Sequence, residues 1–268
     1  MLANVKRPTA YVIAPTNHGT MIVNRHDFRA TAVGAYGVGY QLLNDQSFDQ
    51  IEVDLALHFL DERRKFFGDG VVGLDLGANI GVHTIDWARH MFGWGEVFAV
   101  EAQKRVYYAL AGNIAVNNCF NANAIWAAIG AEKGTLKCAE PNYFVPSSFG
   151  SFELIQSETN EFIGQEIDWS EDKLVSIPMI TVDSMNFDRL DFIKIDIEGM
   201  EESAIAGAKA SINKSKPIMM IERIKSDEGK LVSTLKGFGY EGFKMGLNLL
   251  MVHESDPCLQ GIQNLERA

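Results

Sequence analysis

The chain has 268 residues, 47% of them hydrophobic and 22% charged, enough to bury a core without disulfide staples. A formal net charge of −11 argues against nucleic acid and anionic membrane surfaces as partners, since both are gripped mainly through Lys and Arg. Three cysteines (Cys119, Cys138 and Cys258) without CxxC spacing fit a reducing compartment better than a disulfide framework.

Lys6 and Arg7 precede an apolar stretch, residues 9–14, that Pro15 ends. It is shorter than the roughly 7–15 residues of a signal-peptide core, and nothing approaches the 18 or so apolar residues of a membrane span. The expected location is the cytoplasm. Residues 10–24 (AYVIAPTNHGTMIVN) are two β-prone runs around a Pro-Thr-Asn-His-Gly turn, a hairpin signal. Residues 1–46 therefore read as an N-terminal hairpin extension, and 47–268 as the main domain. Ser47 and Gln50 have capping-box spacing and open a helix bearing Ile51, Leu55, Leu57, Phe59 and Leu60, which Gly68-Asp69-Gly70 stops. Arg63-Arg64-Lys65 on this helix reads as a solvated face.

From there strand and helix alternate. Val71 to Leu76 is a strand, followed by a helix with Ile85, Ala88 and Phe92 on one face. Glu96 to Val100 is the second strand, and its helix carries Val106, Leu110 and Ile114. Asn123 to Ile129 and Gly134 to Cys138 are further strands. Residues 139–178 break the rhythm with Pro, Ser, acidic and aromatic residues, and read as a substrate loop or lid with room for a short helix near 153–163. Strands return at 191–197 and 217–222, with helices around Ala204–Ile212 and Leu231–Phe238, and a hairpin at 240–245 and 248–253 closes the pattern. Repeated β-α-β units require a parallel sheet covered on both faces. The expectation is a doubly wound, mostly parallel seven-stranded sheet with an antiparallel C-terminal hairpin.

The most specific segment is DLGANIGVHT, residues 75–84, where a strand meets a glycine-bearing loop and a helix starts at once. Its D-x-G-x-N-x-G spacing is not the G-x-G-x-x-G of a pyrophosphate-binding turn. An Asp at the strand end suits a cofactor bearing an amine and a carboxylate. Glu101 ends the second strand, placed to accept both hydroxyls of a ribose. In DFIKIDIEG, residues 191–199, the charged Lys194, Asp196 and Glu198 alternate along a buried strand. Burying charges costs several kcal/mol each unless they are paired, so an ion pair explains Lys194 most simply. Asp196 and Glu198 lie at the carboxyl end, where open α/β sheets bind ligands. Asp183 and Glu222 also fall at strand or loop boundaries. Converging carboxylates could tune a base or hold a divalent ion, but no His/Cys set has metal-ligand spacing, and no metal is expected. His83, near the glycine loop, and His253, on the last strand, read first as structural.

These residues, with AAIGAEKGTL at 127–136, Thr181-Val182-Asp183 and DFIKIDIEGMEESAIAGA at 191–208, resemble the FkbM family of S-adenosylmethionine-dependent methyltransferases over roughly residues 50–223. The resemblance implies a class I, Rossmann-like fold. It implies Asp75, Gly77, Asn79 and Gly81 at the methionine end of the cofactor, Glu101 on the ribose and Ala128 beside the adenine, with Thr84, Ala102 and Asp196 completing the set. It implies O-methylation of a sugar or small natural-product hydroxyl, with S-adenosylhomocysteine as product. Asp196 is the first candidate base, with Glu198 and His253 behind it. The serine-rich 146–151 stretch matches the family only loosely and residues 1–46 do not match. A nucleotide-dependent oxidoreductase shares the ribose acid but needs the missing third glycine. A non-catalytic cofactor-binding scaffold has little reason to keep the charges of residues 191–199.

Overall fold

Two β-prone runs around a tight turn open the computed structural model, which describes residues 8–32, 34–262 and 265–268. The Lys6-Arg7 pair lies outside the described residues. Strands β1 (Tyr11–Thr16) and β2 (Gly19–Asn24) pair antiparallel, as their sequence suggests. A smaller hairpin of β3 (Arg29–Thr31) and β4 (Gly34–Tyr36) leads to helix α1 (Val38–Asn44). Met21, Val23, Val38 and Leu42 are buried in one core with Val53, Phe59 and Leu60 of α2 (Gln50–Phe67), so this N-terminal segment packs on the body of the protein.

The capping box at the start of α2 does not form. Asp49 is the N-cap, in a left-handed conformation with φ 47°, and Ser47 Oγ turns to Gln50 Oε1 at 3.2 Å and His18 Nε2 at 3.4 Å. The buried His18 ring, held by Asp86 on one nitrogen and accepting the Phe48 N–H on the other, draws this segment toward the first hairpin. Arg63 is likewise not on a solvated face. It is buried, with Nε 3.0 Å from Asp191 and its guanidinium also paired with Asp256, whereas Arg64 and Lys65 are exposed.

The chain then runs through β5 (Val71–Leu76), α3 (Val82–His90), β6 (Gly95–Glu101), α4 (Lys104–Val116), β7 (Ala122–Trp126), β8 (Ala128–Ile129) and β9 (Gly134–Cys138). After the insertion come β10 (Val175–Ile180), β11 (Phe192–Ile195), α5 (Glu201–Ala206), α6 (Lys209–Ser215) and β12 (Ile218–Glu222). Helix α7 (Glu228–Lys236), β13 (Tyr240–Met245), β14 (Asn248–His253) and β15 (Glu266–Arg267) complete the order. The main sheet has eight strands rather than seven, ordered β15-β13-β14-β12-β11-β5-β6-β7. The extra strand, β15, is a two-residue pairing with Phe243 and Lys244, too short to leave a pattern in the sequence. From β12 to β7 all neighbours are parallel, and β14 and β13 are antiparallel.

Alternate side chains face opposite sides of each strand. Val71, Phe192, Ile218, Met220 and Leu250 share a core with α2, α3 and α4. Leu74, Ile193, Ile195, Met219 and Ile221 share the other with α5, α6 and α7. The same period sets Asp75 and Lys194, partners in register, on the α2–α3 face. Phe92 lies beyond the end of α3 and is exposed. No helix forms over 153–163. Glu153 accepts from both Asn160 Nδ2 and the Glu161 N–H, so side chains hold this segment as turns. Among the described residues no helix is long and apolar enough to cross a membrane.

Candidate functional site

A cavity of about 300 Å³ opens at the carboxyl ends of the parallel strands. One wall is the turn between β5 and α3. The Gly77 and Ala78 N–H groups both donate to Val100 O at 3.0 Å, which ties the turn to β6. Gly77 has φ +79°, and a Cβ there would lie 1.7 Å from Asp196 O, so only glycine lets the β5 and β11 ends approach. Gly81, at φ +93°, is the N-cap of α3, and a Cβ on it would press on Leu110 at 2.7 Å. Asn79 takes φ 49° and its side-chain oxygen accepts the Ile80 N–H at 2.8 Å, a local bond that suits Asn to this conformation.

Asp75 is buried. Its Oδ2 accepts from Thr84 Oγ1 at 2.6 Å, and its Oδ1 has no partner among the described residues. Burial pushes its carboxyl above the ordinary value, against the pull of Lys194 and Thr84. Glu101, also buried, accepts the Gln103 N–H at 2.7 Å on one oxygen and the Asn79 N–H at 3.0 Å on the other. Burial lifts it to about 7, offset in part by those two N–H groups. Each of its oxygens keeps a lone pair for a further donor.

On the neighbouring strand β11, Lys194 Nζ donates to Asp196 Oδ2 at 2.6 Å. Burial opposes the Lys194 charge, but Asp196, Asp75 and Glu52 outweigh it and hold the ammonium above its usual value. Glu198 sits at φ 54° with Oε2 2.7 Å from Lys225 Nζ. Burial and Asp196 raise it to about 7 while Lys225 pulls it down. Glu222 Oε2 is buried without a partner among the described residues, and burial, then Asp196 and Glu198, push Glu222 up to about 9. Asp196, Glu198 and Glu222 each bring one carboxylate oxygen within 4.8 Å of the others, a spacing a divalent cation could bridge.

The structure brings Asp75, Gly77, Asn79, Glu101, Ala102, Ala128, Asp196 and Glu198 to this cavity. Gly81 and Thr84 stand behind it, shaping the turn and orienting Asp75. His253 is not brought there. Because β14 runs antiparallel to β12, Asn248 pairs with Glu222 at the cavity end and His253 falls at the far end of the sheet, held by Ser255. Asp183 is also elsewhere, accepting the Ala210 and Ser211 N–H groups at 3.0 and 2.8 Å at the start of α6. Sequence reasoning missed Tyr36, Val38 and Gln41, which the N-terminal segment contributes to the wall, and Asp49 at the start of α2, and set His83 aside as structural. The insertion adds Ser148, Gly150, Phe152 and Leu154. It is fastened by Gln103 Nε2 to Phe149 O at 2.8 Å and by Lys225, which reaches Ser151 O at 2.8 Å and Glu161 at 3.3 Å.

Residues 75–241 match the family model described as the Methyltransferase FkbM domain. Among solved structures, the chain is similar to a methyltransferase FkbM from Methylobacillus flagellatus KT at 18% identity and TM-score 0.49, over 69% of this chain and 43% of that one. The chain thus spans less than half of that protein's length. It is similar to a precorrin-6y C5,15-methyltransferase from Geobacter metallireducens GS-15 at 14% identity and TM-score 0.40, over 77% and 88% of the two chains. M. jannaschii TYW2, solved in complex with AdoMet, is similar at 11% identity and TM-score 0.41, over 92% and 86%. No curated protein matches the chain.

Proposed function

The chain belongs to the FkbM methyltransferase family, and on that premise we propose that it transfers a methyl group from S-adenosylmethionine to a hydroxyl of a sugar or small natural-product-like acceptor. The observation that carries this reading is one cavity with two differently equipped ends. Asp75 offers an unpartnered buried acceptor that suits an ammonium, and Glu101 offers acceptors that suit ribose hydroxyls. Ala102, Ala128, Phe152 and Leu154 supply an apolar wall for an adenine ring. These residues fit the cofactor. Gly77, Asn79 and Gly81 give the turn its shape, and Thr84 orients Asp75.

When bound, S-adenosylmethionine supplies an electrophilic methyl group on a sulfonium centre. The protein's part is to align the acceptor oxygen and to take its proton, which in general-base catalysis contributes about 10²–10⁴-fold. Asp196 is the proposed base. Lys194 fixes one of its oxygens through the 2.6 Å bond, and the carboxylate lines the cavity. Glu198, raised to about 7, stands beside it as a second proton acceptor suited to neutral pH. The test is transfer of a labelled methyl group to a panel of hydroxylated acceptors. Asp196→Asn is expected to lose at least 10²-fold in turnover. Near-full turnover in that variant would remove Asp196 from this role, and the absence of any acceptor hydroxyl among labelled products would overturn the O-directed reading.

A further inference from the structure

Asp27, between β2 and β3, is 3% exposed, and among the described residues no cation pairs with it. Its Oδ2 accepts the Gly39 N–H and its Oδ1 the Phe149 N–H, both at 3.0 Å. Gly39 lies in the first turn of α1, beside the cavity-lining Val38 and Gln41. Phe149 lies in the insertion, between the cavity-lining Ser148 and Gly150. One carboxylate therefore fastens two separate walls of the cavity. Two N–H donors need two acceptors, which an ionised carboxylate presents and an Asn amide does not, since its –NH2 would face one of the donors. Burial lifts the carboxyl to about 6 against the pull of these two N–H groups, which leaves it ionised at neutral pH. A buried charge without a counter-ion costs stability, and a simple chain corner needs no such group.

The same two walls are joined at further points. Asn24 Nδ2 donates to Tyr143 O at 3.0 Å, and the Ser147 N–H donates to His26 O at 2.9 Å. A Cβ on Gly150 would lie 3.8 Å from Val38 and 3.1 Å from Asn79 Nδ2. The N-terminal segment and the insertion thus make one roof that rests on the β5–α3 turn. That roof is also tied to the acid at the end of β6. Phe149, whose N–H goes to Asp27, accepts at its carbonyl from Gln103 Nε2 at 2.8 Å. The Gln103 N–H in turn donates to Glu101 at 2.7 Å, and Tyr143 Oη holds the Gln103 amide by donating to its Oε1 at 3.2 Å. Hydrogen bonds therefore run from Gly39 through Asp27, Phe149 and Gln103 to Glu101. Residues 139–170 carry no helix, so their order depends on ties of this kind.

We propose that Asp27 is a positioning residue that makes residues 37–42 and 146–152 one roof, which Gln103 sets on Glu101, so that a nucleoside seated on Glu101 and the roof order one another. This rests on the reading of the cavity as an S-adenosylmethionine site. It gives the N-terminal segment, which precedes the family match over residues 75–241, a part in forming that site. By reciprocity, whatever order the bound nucleoside adds to the roof, the roof returns as affinity.

Hydrogen exchange with and without saturating S-adenosylhomocysteine reads this link, and calorimetry gives the affinity. In the wild type the ligand is expected to slow exchange at 37–42 and 146–152 as well as at 75–84. In Asp27→Asn the slowing at 37–42 is expected to be lost and that at 146–152 and 75–84 kept, because Phe149 O still meets Gln103. Affinity in that variant is expected to fall about 2- to 10-fold, the net worth of one hydrogen bond. In Gln103→Met both roof segments are expected to stop responding while 75–84 still does, since the bond to Glu101 comes from the Gln103 backbone. A purely structural defect would not give this order, because it weakens all three segments together. Gln103→Met also carries the test if Asp27→Asn disturbs folding. Slowing confined to 75–84 in a wild type that binds the ligand, an unchanged response at 37–42 in Asp27→Asn, or a loss shared by all three segments would overturn the proposal while leaving the cofactor reading in place. A wild-type protein that does not bind S-adenosylhomocysteine would overturn both.

Discussion

Replacing Lys194 by Met isolates the electrostatic core of the site. The ammonium is 94% buried as a side chain and bonds Asp196, whose side chain is 33% exposed, at 2.6 Å. Removing one partner of a buried pair costs about 3–5 kcal/mol, because the remaining charge stays in a poor environment. The exposure of Asp196 places the expected loss near the lower end, about 3 kcal/mol, equivalent to about 6–12 °C in melting temperature for a chain of this size. The pH dependence gives the sign. Lys194 is one of the groups that lower the Asp75 pKa, so its loss raises that carboxyl further. A carboxyl with a raised folded-state pKa contributes stability that is full below its unfolded value, about 3.9, and lost as pH rises through the folded value. The deficit of Lys194→Met relative to wild type therefore shrinks at pH 5 and widens at pH 8. Circular dichroism melts across that range read it directly. Lys194→Met/Asp196→Asn, with one stranded carboxylate neutralised, is expected to recover part of the loss. A single variant as stable as wild type at pH 8, or a deficit that widens toward acid, would refute the reasoning.

Three further outcomes follow from neighbouring groups. Glu222, pushed up to about 9 by burial and by Asp196 and Glu198, stabilises the fold fully below its unfolded value of about 4.3 and loses that contribution as pH rises toward 9, so Glu222→Gln is expected to flatten the fall of melting temperature between pH 6 and 9. Arg63→Leu strands the buried Asp256, while Asp191 keeps Arg189 at 2.7 Å, and is expected to cost about 3 kcal/mol in urea unfolding. Lys225→Met removes the tie between Glu198, Ser151 and Glu161, and hydrogen exchange is expected to quicken in 150–165 while β5 and β11 keep their protection.

The parts of the site that were legible in the sequence are those whose function forces a local pattern. A strand that must turn sharply beside another strand end needs Gly77 and Gly81, and charges on a buried strand stand out because Phe192, Ile193, Ile195 and Ile197 surround them. What was not legible depends on where distant segments meet. Tyr36 and Val38 reach the cavity only because the segment before α2 docks on the body, and no local spacing announces that contact. Arg63 resembled its neighbours in a charge run, yet the turn of α2 aims it at Asp191 while Arg64 and Lys65 point outward. His253 was misplaced for a topological reason. In an antiparallel strand the carboxyl end faces the opposite rim, so the rule that serves β5, β6 and β11 inverts for β14. The missing helix in the insertion reflects side chains such as Glu153 and Asn160 that satisfy the backbone in another way.

The most direct test of the central claim is calorimetric titration of S-adenosylmethionine and S-adenosylhomocysteine into the purified protein and its Glu101→Ala variant, with NAD as control. The account predicts binding of both sulfur ligands to the wild type, its loss in Glu101→Ala, and no binding of NAD. Absence of binding by either sulfur ligand, or binding that Glu101→Ala leaves intact, would contradict it.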